Sequence, residues 1–193
     1  MAEFLEQEAI IKPGDTTFIS DQEIKLWISK GSIIDPSSLV IKGRYVLSGD
    51  ISPHNIILLL NEDRMKWDNS IMHQQTIKKI TDNISLFYYV TEPLLSSKLP
   101  NDFVEKRVRF VKDSIYYGYC SSVPEQVYPK REIYNRGKII FGGSILKQEE
   151  GKNIYYSFSQ IKLKVSFDVY SIDKQSVFRE NDSLVAYNHQ TVL

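Results

Sequence analysis

At 193 residues the chain is most simply a single domain, residues 1–193, large enough for a substantial core. Its 24 basic and 24 acidic residues cancel, which excludes a general electrostatic attraction to nucleic acid or to anionic membrane. The single cysteine, Cys120, excludes an internal disulfide and points to a reducing compartment. The acidic start, Met1 to Glu8, lacks the basic-then-apolar order of a secretory signal. No apolar run approaches the roughly 20 residues of a membrane span, so a soluble cytoplasmic protein is expected.

In chain order, residues 1–20 read as a short helix followed by a loop at Lys12-Pro13-Gly14-Asp15. Glu23 to Ser29 and Leu39 to Leu47 read as strands, rich in β-branched and aromatic residues. Ser52-Pro53 opens a helix, with Ser as cap and Pro at the first helical position. That helix carries Ile56-Ile57-Leu58-Leu59-Leu60 and leads into Asp63-Arg64-Met65-Lys66-Trp67-Asp68. Strand candidates follow at Met72 to Ile80, Ile84 to Thr91, Asp102 to Val111, Ile115 to Ser122, Glu132 to Leu146 and Asn153 to Tyr170. Turn signals at 81–83, 112–114 and 149–152 make the connections short, which favours an antiparallel meander. Asp173 to Asn188 reads as a modest amphipathic helix. The class is α+β: a long antiparallel sheet with helices on one face.

The segment at 63–68 is the most informative. On a helix, Arg64 and Asp68 share one face, with Trp67 beside them as a core anchor. An isolated surface pair would favour the acid first; here the base comes first.

Three segments, in order, resemble the START family, the steroidogenic-acute-regulatory-related lipid-transfer domains. Arg64-Met65-Lys66-Trp67-Asp68 is similar to the family's basic-x-x-Trp-Asp helix end. Leu86-Phe87-Tyr88-Tyr89-Val90-Thr91-Glu92-Pro93 is similar to its aromatic strand running into a loop, and Asn101-Asp102-Phe103-Val104-Glu105-Lys106-Arg107 to its Arg-Asp-Phe-Val-x-x-Arg. The resemblance spans roughly residues 20 to 165 and is closest to phosphatidylcholine-transfer-type members. It implies the helix-grip (START/Bet v 1-like) fold, in which a curved antiparallel sheet encloses a lipid tunnel under a C-terminal lid helix. It also implies a lipid-binding and lipid-transfer module, not an enzyme, that holds one glycerophospholipid and makes transient contact with membranes. The chain would be a monomer with no cofactor.

The resemblance assigns the head group to Arg64, Asp68, Tyr88, Phe103 and Arg107. Tyr88 and Phe103 would be two walls of an aromatic cage, while Ser144 stands where a third family aromatic is expected. Strand alternation alone would leave the Phe103/Glu105/Arg107 face solvated; the family match turns it inward. Leu94, Leu95 and Leu99 fall where the family has its gate and membrane-contact loop. The C-terminal lid would be short, because Ser166 to Asp173 lacks the family's Gly and Pro turn. The physics suits such a carrier. A diacyl lipid has on the order of 30 methylenes, each worth about 0.8 kcal/mol when buried. Its phosphate needs charge-assisted donors, and a fixed Asp keeps the Arg tolerable when the site is empty.

Other chemistries have less support. His54, His73 and His189 fall on separate elements without metal-ligand spacing. Cys120 reads as a buried structural thiol, and Gly142-Gly143 as a strand bend, not a phosphate loop. Two alternatives remain: a lipid sensor without transport, and a cyclase or hydrolase on a helix-grip scaffold. The second would need Glu105, Arg107, Tyr117 and Tyr119 inside the cavity as its titratable set.

Overall fold

The structure is a computed structural model that describes residues 1–20, 22–47, 51–60, 63–93 and 99–162. The expected helix at 173–188, the end of the last expected strand beyond 162, and the loop residues Leu94 and Leu95 lie outside the described residues.

The chain opens with α1 (Ala2–Ala9), followed by β1 (Thr16–Ser20), β2 (Ile24–Ser29) and β3 (Val40–Leu47). α2 (Pro53–Leu60) comes next, then a single 3-10 turn at Arg64–Lys66. The remaining strands are β4 (Ile71–Thr81), β5 (Ile84–Thr91), β6 (Asn101–Lys112), β7 (Ile115–Ser122), β8 (Asn135–Arg136), β9 (Lys138–Glu149) and β10 (Lys152–Lys162). They form one curved sheet of order β1-β2-β3-β10-β9-β7-β6-β5-β4, with the two-residue β8 beside β6. Every pairing is antiparallel except β6 with β8.

Local sequence explains the meander. At the β6–β7 turn, Asp113 and Ser114 both take positive φ (52° and 63°), and at the β9–β10 turn Glu150 and Gly151 do the same (50° and 78°). Two consecutive positive φ values match the twist of the flanking strands in a two-residue hairpin. The edge strand β4 slips register three times against β5, and such irregularity blunts an exposed edge.

Two expectations are corrected here. The segment Glu132 to Leu146 is not one strand. Asn135–Arg136 pairs in parallel with Asn101–Asp102, and only after Gly137 does β9 begin against β7. The cause is Arg136, whose Nε and Nη2 reach the two oxygens of Asp102 at 2.9 and 2.8 Å, while its guanidinium also bonds the Tyr128 and Pro129 carbonyls. Second, the stretch after Asp15 is not all loop: Thr16–Ser20 adds β1 to β2.

Side chains alternate between two faces of the sheet. The outer face is packed: Leu5 of α1, 0% exposed, sits among Val40, Tyr117, Phe141, Ile145 and Phe158. The Tyr117 hydroxyl donates to Glu6 Oε1 at 2.5 Å, fastening the helix to β7. The inner face carries two separate apolar clusters. Ile71, Phe87, Tyr89, Phe103 and Ile139 form one; Leu26 and Tyr45, flanked by Ile24, Leu47 and Tyr155, form the other.

Leu5→Ala should cost roughly 2–5 kcal/mol, the range for emptying a fully buried leucine site. Urea unfolding of parent and variant checks it; an unchanged midpoint would mean that α1 does not anchor the outer face.

Candidate functional site

The site lies on the inner face, between the end of α2 and strands β5 and β6. The expected helical segment is shorter than the sequence suggested. α2 stops at Leu60, and Arg64–Lys66 is a 3-10 turn. The four-residue spacing still works, because the Asp68 amide donates to the Arg64 carbonyl at 2.8 Å, closing one α-like turn. Trp67 is half-buried, and its indole N–H donates to the Leu59 carbonyl at 2.6 Å, which ties the turn back onto α2.

Asp68 is 1% exposed and uses both oxygens. Oδ2 accepts Arg64 Nε at 2.7 Å and Nη2 at 2.6 Å; Oδ1 accepts the Ser70 amide at 3.0 Å and its hydroxyl at 2.5 Å. Burial works to discharge the Arg64 guanidinium. Asp68, then Tyr89 and Glu105, act against that and leave it more firmly protonated than an ordinary arginine.

On β6, Phe103, Glu105 and Arg107 all face inward and are all buried, as the family match implied. Phe103 stacks on Tyr89, with ring centroids 4.8 Å apart and planes 13° from parallel. Arg107 bonds Glu105 through Nε, and its guanidinium lies 3.4 Å above the Phe87 ring. Its Nη1 is buried and has no hydrogen-bond partner among the described residues. A buried N–H left without an acceptor is costly, so this atom is poised to receive one. The thiol of Cys120 neighbours this pair; burial, then Glu105, pushes its pKa well up, which makes it inert at neutral pH.

Tyr88 does not join the site, and its expected place in the cage is corrected. Tyr89 pairs with Phe103 and Tyr88 with Val104, so the two tyrosines occupy opposite faces. Tyr88 is in the outer cluster with Val90 and Val104, its ring 5.2 Å from Tyr128. The acid that pairs with Arg107 therefore comes from its own strand, two residues back, and not from β5. Of the expected gate residues, Leu99 is described: it is 40% exposed, just before β6.

Three features of the inner face escaped the sequence reading. Ser70 fixes the second oxygen of Asp68. Tyr89 provides the ring that Phe103 stacks on. A row of small residues, Gly118, Ser144, Ser157 and Gly43, crosses four neighbouring strands in register and ends at Leu26, with the Tyr45 ring lying over Gly43. Tyr155 and Tyr45 bond Ser144 and Ser157 from the adjacent row. The Gly142-Gly143 pair serves close packing: a Cβ on Gly143 would lie 2.0 Å from the Phe158 ring, and one on Gly142 would lie 2.6 Å from Cys120 Sγ. Among the described residues no cluster of His, Cys, Asp and Glu could hold a metal, and no helix is long and apolar enough to cross a membrane.

The curved, mostly antiparallel sheet with few helices matches the helix-grip fold. The START domain model matches residues 47–168, more than half of the chain, and the chain belongs to the START domain family. The human STARD10 structure is similar with 19% identity and a TM-score of 0.75, covering 99% of this chain and 79% of that one. Human StAR-related lipid transfer protein 5 is similar at 17% identity and a TM-score of 0.77, covering 98% and 88%. A STAR-related lipid transfer protein from Xanthomonas axonopodis is similar at 15% and 0.64, covering 93% and 95%. At such identities these structures establish the shared fold. No protein with a curated description matches the chain. Family membership supports lipid binding and transfer as the general function.

Burial, then Asp102, pushes the Tyr88 hydroxyl from 10.0 up to about 12, and that hydroxyl has no hydrogen-bond partner among the described residues. Below pH 10 it is neutral folded and unfolded. Above that, the unfolded chain ionises first, so stability falls as pH rises toward 12. Tyr88→Phe should remove part of this alkaline slope and leave stability at neutral pH equal, or higher by about 1 kcal/mol. Urea unfolding across that pH range reads both; a loss of several kcal/mol at pH 7 would contradict the assignment.

Proposed function

We propose that the chain is a single lipid-binding domain that holds one glycerophospholipid against the inner face of the sheet and moves it between membranes in the cytoplasm. The observation that carries this reading is the inward constellation of Arg64, Asp68, Phe103 and Arg107. Arg64 is held on one edge by a buried carboxylate, and Arg107 offers a buried N–H without a partner among the described residues. A phosphate or ester oxygen supplies what both lack, an acceptor for charge-assisted hydrogen bonds. The two apolar clusters of the inner face suit the acyl chains. Leu99, with Leu94 and Leu95 of the same connection, is read as the part that touches the bilayer during exchange.

The geometry supports a head group other than choline. A quaternary ammonium is caged by open aromatic faces. Here the Phe87 face is taken by Arg107, Phe103 is stacked on Tyr89, and Tyr88 is on the other side of the sheet.

Native mass spectrometry of the purified protein tests the reading, the expected outcome being one co-purifying glycerophospholipid per chain. Arg64→Ala should reduce the lipid-bound fraction roughly tenfold, the loss of one charge-assisted contact of about 1.5–3 kcal/mol. Its melting temperature should fall as well, because Asp68 is left buried without its partner, so lipid retention is compared on folded protein well below the transition. Equal lipid retention by parent and variant would remove Arg64 from the site.

A further inference from the structure

We propose that the β2–β3 connection is a rigid bilayer anchor, with Ile33 and Ile34 as its inserting tip; this deepens the transfer reading above, on which it rests. The loop is built inside out. Ile33 and Ile34 are 65% and 48% exposed, while the polar groups beside them point into the protein. Ser32, 6% exposed, accepts the amides of Ile34 and Asp35 at 3.1 and 3.0 Å and donates to Gln160 at 2.7 Å. Gln160, 0% exposed, donates to the Asp35 and Ser38 carbonyls, both at 2.7 Å. The Ile33 amide faces Glu8 of α1 at 3.4 Å. At the base, Gly31 takes φ +148°, and a Cβ there would lie 2.5 Å from the Pro36 carbonyl oxygen. A loop so fastened from beneath has no means of folding its isoleucines inward. Two adjacent branched aliphatic side chains are thus held in the open, where each forgoes the gain of burial.

The position and charge of the loop select its partner. It stands at the end of the sheet where β2, β5, β7 and β10 finish. Leu99, Val127 and Ile133, 40%, 51% and 61% exposed, stand on the other connections at that end. The opposite end has short polar turns at Asp82-Asn83, Asp113-Ser114 and Glu150-Gly151, and its exposed aliphatic residues, Ile80 and Val111, lie on the strands beside those turns instead of at loop tips fastened from beneath. Around the isoleucines, the acids are matched: Asp35 by Lys162 at 2.6 Å and Glu8 by Lys12 at 3.4 Å. Among the described residues exposed Lys30 has no ion-pair partner, so the tip presents apolar side chains beside a cation. That combination fits an interface of acyl chains and anionic head groups.

Co-sedimentation of the full chain with vesicles of phosphatidylcholine, with and without phosphatidylserine, tests the proposal. Ile33→Ser with Ile34→Ser should bind vesicles roughly a hundredfold more weakly, since each buried isoleucine contributes about tenfold. Phosphatidylserine should strengthen binding of the parent. Ile33→Leu with Ile34→Leu should restore binding. Native mass spectrometry of the same variants should show unchanged lipid content. Unaltered vesicle binding by the serine variant would overturn the anchor. So would a large drop in its melting temperature, which would show that the isoleucines pack beneath another part of the chain. A parent protein that carries no lipid would count against the carrier reading alone, because vesicle binding is read separately.

Discussion

A carboxylate with 1% of its surface exposed is costly to bury unless its oxygens are answered, and Asp68 organises the candidate site by having both answered. One oxygen takes two guanidinium N–H groups of Arg64, and the other takes the amide and hydroxyl of Ser70. Ser70 in turn accepts the Glu92 amide through its carbonyl at 2.9 Å, where β5 has just ended. The same residue that orients the arginine therefore fixes the turn to the root of β4 and β5. Removing either partner would strand a charge in a low-dielectric position, which costs far more than the pair contributes while intact. The sequence pays for Asp68 with local structure: a 3-10 turn, a capping serine and an indole bond to α2.

The second constraint is that one sheet serves two purposes. Its outer face is closed by α1 and the loop that Arg136 holds down, and Leu5, Phe141 and Val104 are buried there like any core residues. Its inner face is mixed. Aromatic clusters share it with a band where Gly and Ser replace large side chains. Glu105 and Arg107 can be buried on that face because each is the other's partner and Phe87 lies beneath the guanidinium. One N–H of Arg107 is left over: among the described residues it has no acceptor, and the proposed head-group role rests on it.

What could be read in the sequence follows from the range of the interactions. Strands and hairpins were legible because alternation and turn residues are local, and so was the Arg64–Asp68 spacing. The inward turn of Phe103, Glu105 and Arg107 ran against composition, since two charges on alternate positions look like a solvated face; only the family pattern pointed inward. Tyr88 was misplaced for a reason intrinsic to sheets: a shift of one residue in register exchanges the faces of every side chain. Four consecutive residues, Phe87 to Val90, are apolar or aromatic, so β5 gives no alternation from which to choose. β8 was invisible because its two residues pair with β6 through a distant ion pair, Asp102 with Arg136, that leaves no periodic trace.

The two ends of the sheet carry a related lesson about where exposure has meaning. Scattered exposed aliphatic residues are ordinary on any protein surface and need no explanation. Ile33 and Ile34 differ because their backbone is not free to bring them in: Ser32 and Gln160, both buried, occupy the interior side of the loop with hydrogen bonds that would all be lost if it inverted. Polar residues inside and aliphatic ones outside reverse the usual ordering of a loop. The reversal is held by a glutamine 0% exposed on β10, far away in sequence. On the proposed carrier reading, one end of the sheet would meet a bilayer and the other stay in water, and the strand connections differ in that sense: tight Asp-, Asn- and Gly-containing turns at one end, Ile33 and Ile34 held out from a fastened loop at the other.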